Sequence, residues 1–185
     1  MNLQRHWRNK RDSNGLTNKL TKALFVIYLL TLFWILLFKF GVRFSYMENR
    51  SVNLIPFREM FISNGNTDAG EIILNVVIFV PLGIYAGVLF RRWTFGKKLF
   101  LFFLISLMFE GLQFMLGIGA FDITDTITNT SGGIIGLMIF KAIEKLFSTG
   151  LKAQKFINIV AATGTVLMIL LLVLLKLNML PIRYQ

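Results

Sequence analysis

Five apolar stretches, each near the length that crosses a bilayer, divide this chain, at residues 23–40, 72–90, 99–116, 127–147 and 156–175. About 20 apolar residues in a helix cover the hydrocarbon of a membrane, and in lipid only helices or closed barrels satisfy their own backbone. The expected fold is therefore all-α: a polytopic transmembrane helical bundle of about five spans. Composition agrees, since 55% of the 185 residues are hydrophobic, 19 are Phe and only 9 are acidic. So small a water-soluble core could not hide that much apolar surface. A secretory signal is the competing reading of the first stretch. It is long for one, and no small-residue cleavage pattern follows Phe40.

The net charge of +11 is spread between the spans and not gathered on one patch, which argues for a bilayer and against nucleic acid. Arg5, Arg8, Lys10, Arg11, Lys19 and Lys22 precede the first span. Arg91, Arg92, Lys97 and Lys98 follow the second, and Lys141, Lys145, Lys152 and Lys155 surround the end of the fourth. Only Asp12 and Glu144 oppose them. On the other side Arg43, Arg50 and Arg58 are balanced by Glu48, Glu59, Asp68 and Glu71, and Asp122 and Asp125 stand without a base. Basic connections stay inside. The expected layout is a basic cytoplasmic N-terminal segment at 1–22, a transmembrane domain at 23–175 and an external C-terminal tail at 176–185.

That orientation brings the unusual polar residues to the outer side. Glu110 and Gln113 lie three apart in the third span, and Asn75 opens the second, one helical turn after Glu71. Asp122, Asp125 and Asn129 share one stripe if their segment is helical. Asn53, Pro56 and Phe57 sit in an outer loop whose apolar, proline-stopped sequence suits an interface. A carboxyl inside a membrane is a functional candidate by default. Gln113 is expected to orient Glu110, and the aspartates are equally suited to capping the fourth helix. Pro81 and Gly83 are expected to shape the second span. Gly132, Gly133 and Gly136 are expected to allow close helix packing inside the bundle.

Several chemistries are excluded or disfavoured. Without cysteine there is no disulfide and no thiolate metal site, and His6 is the single histidine, so Ser–His or Cys–His nucleophiles are disfavoured. The stock nucleotide, zincin and hydrolase-elbow motifs are absent, and no internal repeat is visible. Glu110, Asp122 and Asp125 could hold a hard divalent cation through oxygens, but their spacing is not that of a recognised metal motif; no metal site is assigned and no cofactor is expected.

Four ordered motifs carry a resemblance. They are N-L-I-P-F at 53–57, N-V-V-I-F-V-P-L-G at 75–83, F-E-G-L-Q-F at 109–114 and G-A-F-D-I-T-D-T-I-T-N-T-S-G-G at 119–133. With them the chain resembles the VanZ-like family of bacterial membrane proteins over about residues 23–175. The resemblance implies a multi-pass protein of the bacterial cell membrane that confers low-level resistance to teicoplanin, a lipoglycopeptide acting outside the membrane.

Three mechanisms stay open. In the first, Asn53, Phe57, Asn75, Glu110, Gln113, Asp122, Asp125 and Asn129 line an outer-face site that binds or excludes a lipoglycopeptide or an envelope lipid. In the second, Glu110 acts as a general acid or base with Asp122 or Asp125 on a lipid-linked envelope precursor. In the third, Glu110 is the proton relay of a small transporter.

Overall fold

The computed structural model describes residues 2–38, 51–58, 69–117 and 119–176. The connection carrying Arg43, Glu48 and Arg50, the stretch holding Glu59 and Asp68, and the tail from residue 177 lie outside the described residues. Among the described residues five helices follow one another: α1 (Asn2–Phe38), α2 (Ala69–Leu89), α3 (Phe95–Leu116), α4 (Ile123–Leu146) and α5 (Gly150–Lys176). Two short strands, β1 (Val52–Asn53) and β2 (Phe121–Asp122), pair in parallel, Val52 opposite Phe121 and Asn53 opposite Asp122. The all-helical expectation omits this pair, because two residues are too few to show a period-two pattern.

Among the described residues four helical segments are long and apolar enough to cross a membrane: Gly15–Leu36, Gly70–Leu89, Phe95–Leu116 and Gly150–Leu170. The fifth helix, α4, is long enough at 24 residues but carries Thr, Ser, Asp and Asn through its first half and Lys141, Glu144 and Lys145 near its end. Its polar first half is accommodated locally. Thr130 and Ser131 donate to the carbonyls of Thr126 and Ile127 four residues back, and Thr124, Thr126, Thr128 and Asn129 are buried.

The chain divides into two compact units, one of residues 1–24 with 146–185, the other of residues 25–145. In the first, the amino-terminal part of α1 meets α5 through a buried polar ladder. Gln154 Nε2 donates to Thr21 Oγ1 and Asn18 Oδ1 at 2.8 and 2.9 Å, the Thr21 hydroxyl donates to Asn158 Oδ1 at 2.9 Å, and Asn158 Nδ2 donates to the Thr17 carbonyl at 3.1 Å. The rings of Phe147 and Phe156 close one end, 5.2 Å apart.

The second unit is built on an apolar cluster of Leu32, Leu36, Phe79, Leu82, Ala86, Phe102, Phe109 and Leu137. Through it runs a seam of glycines. A Cβ at Gly132 or Gly136 would be driven into the carbonyl oxygens of Val76 and Val80, and one at Gly83 into that of Gly133. α2 and α4 thus touch backbone to backbone, with Pro81 inside the α2 turn that faces the seam. Helix α3 has defined ends. Thr94 caps its start, and Gly117 closes it in the left-handed conformation, φ 67°, its N–H reaching the Gln113 and Phe114 carbonyls.

Candidate functional site: a carboxyl cluster where the strands meet the helix ends

The polar residues of the second unit gather where α3 ends and α4 begins. Glu110 lies in the last two turns of α3 and is 2% exposed. Its Oε2 accepts the backbone N–H of Asp122 at 3.1 Å. Asp122 is the N-cap of α4: its Oδ1 accepts the Thr124 N–H, two residues on, at 2.7 Å. Its other oxygen, Oδ2, accepts Asn53 Nδ2 at 3.0 Å. One aspartate therefore starts a helix, holds the β1 strand and presents its own N–H to a buried carboxyl. Asp125 lies in the first turn of α4, where a carboxyl meets the positive end of the helix dipole.

The hook from Ser51 to Arg58 is tied to this cluster along its length. The Phe121 N–H donates to the Ser51 carbonyl at 3.0 Å, and Asn53 Oδ1 accepts the Ile55 N–H at 3.2 Å. The turn that follows has Pro56 at its second position and closes with Arg58 N–H on the Ile55 carbonyl at 3.3 Å. Phe57 occupies the third position with φ 57°, a conformation that glycine takes most easily. Its N–H donates to Thr124 Oγ1 at 3.0 Å. Phe57 thus joins the cluster through its backbone. Leu54, Ile55 and Val52 stay exposed around it.

The αL conformation costs a side-chain-bearing residue about 1–2 kcal/mol, partly offset by the freer unfolded chain of glycine, about 0.5–1 kcal/mol. Phe57→Gly is therefore expected to unfold at a temperature equal to or above that of the parent. A clear fall in a thermal unfolding series would mean that the ring itself packs the hook.

Deeper along the helices, Asn129 Nδ2 donates to Ser106 Oγ at 2.9 Å, and both residues are fully buried, as is Asn75 on α2. Among the described residues Asn129 Oδ1 and Thr126 Oγ1 are buried polar atoms without a hydrogen-bond partner, an arrangement that costs about 1–3 kcal/mol per group in a protein interior. Gln113, expected to orient Glu110, acts elsewhere. Its Nε2 donates to the Leu36 carbonyl at 2.8 Å, satisfying one of the open acceptors in the last turn of α1. Sequence reasoning missed Ser106 and Thr124. Both are ordinary residues in a span or a helix start, although Ser106 stands one turn before Glu110 on the same face.

Among the described residues no group of three His, Cys, Asp or Glu side chains is placed to hold a metal ion. What the cluster offers is hydrogen bonding. It combines carboxyls, amides and a hydroxyl at a helix start, flanked by exposed apolar residues of the hook.

Residues 25–148 match a family model described as VanZ/LLP1. Protein VanZ of Enterococcus faecium is 39% identical over 158 residues, covering 83% of this chain and 91% of that protein. No solved structure matches the chain. The family match contains the whole cluster, from Asn53 to Asn129.

Proposed function

The chain belongs to the VanZ/LLP1 family, and on that premise we propose that it is a multi-pass protein of the bacterial cell membrane that lowers susceptibility to teicoplanin-type lipoglycopeptides. It acts by binding or excluding the drug, or the envelope lipid that the drug engages, at the outer face. Five crossings, a cytoplasmic basic segment at 1–22, a transmembrane domain at 23–175 and an external tail at 176–185 fit the alternation of Lys and Arg between the helices. In that orientation the cluster of Asn53, Glu110 and Asp122 lies at the outer end of α3.

The observation that carries the reading is the pairing of a buried carboxyl, Glu110, with a hook whose apolar residues face outward. Polar groups fixed by helix ends can orient a head group, and the apolar rim suits an acyl chain. Teicoplanin has such a chain, which vancomycin lacks.

The test is direct binding of both drugs to the purified full-length protein in lipid nanodiscs. Saturable binding of teicoplanin with vancomycin at least tenfold weaker is expected. Equal binding of both, or none of either, removes the drug as the ligand.

A second reading is favoured by the burial of Glu110 alone: a membrane enzyme using it as acid or base on a lipid-linked envelope precursor. Altered precursor chemistry in cells carrying the protein would select this reading over binding.

A further inference from the structure

At the far ends of α3 and α4, roughly 18 Å along the helix axis from Glu110 at 1.5 Å per residue, the second unit carries a concentration of positive charge. Arg91 and Arg92 follow α2, Lys97 and Lys98 lie in the first turn of α3, and Lys141 and Lys145 lie near the end of α4. The fold brings these segments together. Arg91 reaches Glu144 on α4 at 3.2 Å and stands 5.7 Å over the Phe140 ring. One turn after Lys98, the Phe102 ring of α3 packs against Gly133 of α4, so the start of α3 also lies along α4. Glu144 is the only carboxyl in that group, and Arg91 already bonds it.

Topology explains why Lys and Arg are on one side of the bilayer. It does not explain why the α2–α3 turn is fastened to the end of α4 by the Arg91–Glu144 ion pair and the Arg91–Phe140 contact, which gathers the cations of both segments around one carboxyl. Like charges crowded at the edge of a low-dielectric slab repel unless an anion lies among them. The surroundings match the headgroup level. Trp93 and Phe95 are exposed beside the cations, and Trp93 stacks on Phe90 at 4.6 Å. Aromatic rings of this kind settle at the membrane–water interface.

We infer that Arg92, Lys98 and Lys141 form a binding site for the headgroup of an anionic phospholipid, seated between the α2–α3 turn and the end of α4. The lipid phosphate supplies the negative charge that Glu144 alone does not, and the acyl chains run along the exposed apolar faces of the helices. Basic pockets between membrane helices take anionic headgroups in this way. The inference rests on the membrane reading of the chain and is independent of the antibiotic.

The experiment uses the full-length protein in nanodiscs of phosphatidylcholine with and without phosphatidylglycerol, read by thermal unfolding and by native mass spectrometry of retained lipid. Wild type is expected to retain phosphatidylglycerol in preference to phosphatidylcholine and to unfold at a higher temperature when it is present. The triple variant Arg92→Gln, Lys98→Gln, Lys141→Gln is expected to lose the retention at least tenfold.

Lys141→Glu brings its own negative charge. It is expected to unfold at or above the wild-type temperature in phosphatidylcholine and to gain nothing from phosphatidylglycerol. Arg5→Gln, Arg8→Gln, Arg11→Gln removes the same charge from the amino terminus and is expected to leave retention unchanged. Equal retention of both lipids by wild type, equal losses in the two triple variants, or displacement of the lipid by millimolar inorganic phosphate would each overturn the inference.

Discussion

Replacing Gly136 with leucine is expected to prevent the second unit from closing. The new Cβ would meet the Val80 carbonyl oxygen and the Gly83 Cα, which are backbone atoms and cannot rotate away. Overpacking of an ordinary core costs about 1–3 kcal/mol. Here α2 and α4 must separate, and with them the neighbouring contacts at Gly132 and Gly83, so a loss of about 3 kcal/mol or more is expected. The measurements are protein level in membranes and unfolding temperature in detergent, and both should fall sharply. Gly164→Ala on α5 is the control. Nothing lies within 4 Å of its added Cβ, and exchanging a helical glycine for alanine should add up to roughly 1 kcal/mol. If both variants behave alike, the seam is not where the unit derives its tightness.

Glu110→Gln is expected to abolish protection against teicoplanin while leaving the protein folded. Glutamine has nearly the same shape and keeps a carbonyl oxygen for the Asp122 N–H, so the junction between α3 and β2 persists. What disappears is the carboxyl. A tenfold loss of affinity corresponds to about 1.4 kcal/mol, within what one buried hydrogen bond contributes. Drug susceptibility and nanodisc binding should fall together at unchanged protein level. Full protection by the variant would remove Glu110 from the proposed site. Glu110→Ala is a less informative change, because it also leaves the Asp122 N–H without its acceptor.

Hydropathy located four of the five described helices well, because each has about 20 apolar residues, enough to cross a membrane, whereas α4 falls short of that apolarity. The expected second span, 72–90, is found as α2 from Ala69 to Leu89, and the third, 99–116, as α3 from Phe95 to Leu116. α1 runs far beyond its apolar part, from Asn2, since no proline precedes residue 23 and hydropathy does not register a polar helix. The meeting of Asn53, Glu110 and Asp122 could be anticipated only as a shared side of a membrane. The bonds between them depend on a parallel two-residue strand pair, which has no signature in sequence.

Phe57 shows a different limit. Pro56 announces a turn, but the turn rules would place glycine or asparagine next, and the Thr124 hydroxyl that holds the Phe57 N–H is 67 residues away. Gln113 shows the same limit. Its position three residues from Glu110 suggested a local partner, while the open carbonyl at Leu36 is 77 residues distant.

The polar ladder of the first unit also has a bearing on biosynthesis. Thr21 and its partner Asn158 are separated by 137 residues, whereas the whole of residues 25–145 is made before Gln154 leaves the ribosome. Chains acquire their structure in the order of translation where contacts allow it. The glycine seam and the carboxyl cluster have all their members early. The amides of α5 are made after residues 25–145 and find their partners in α1, so the ladder closes only once the second unit has been synthesised.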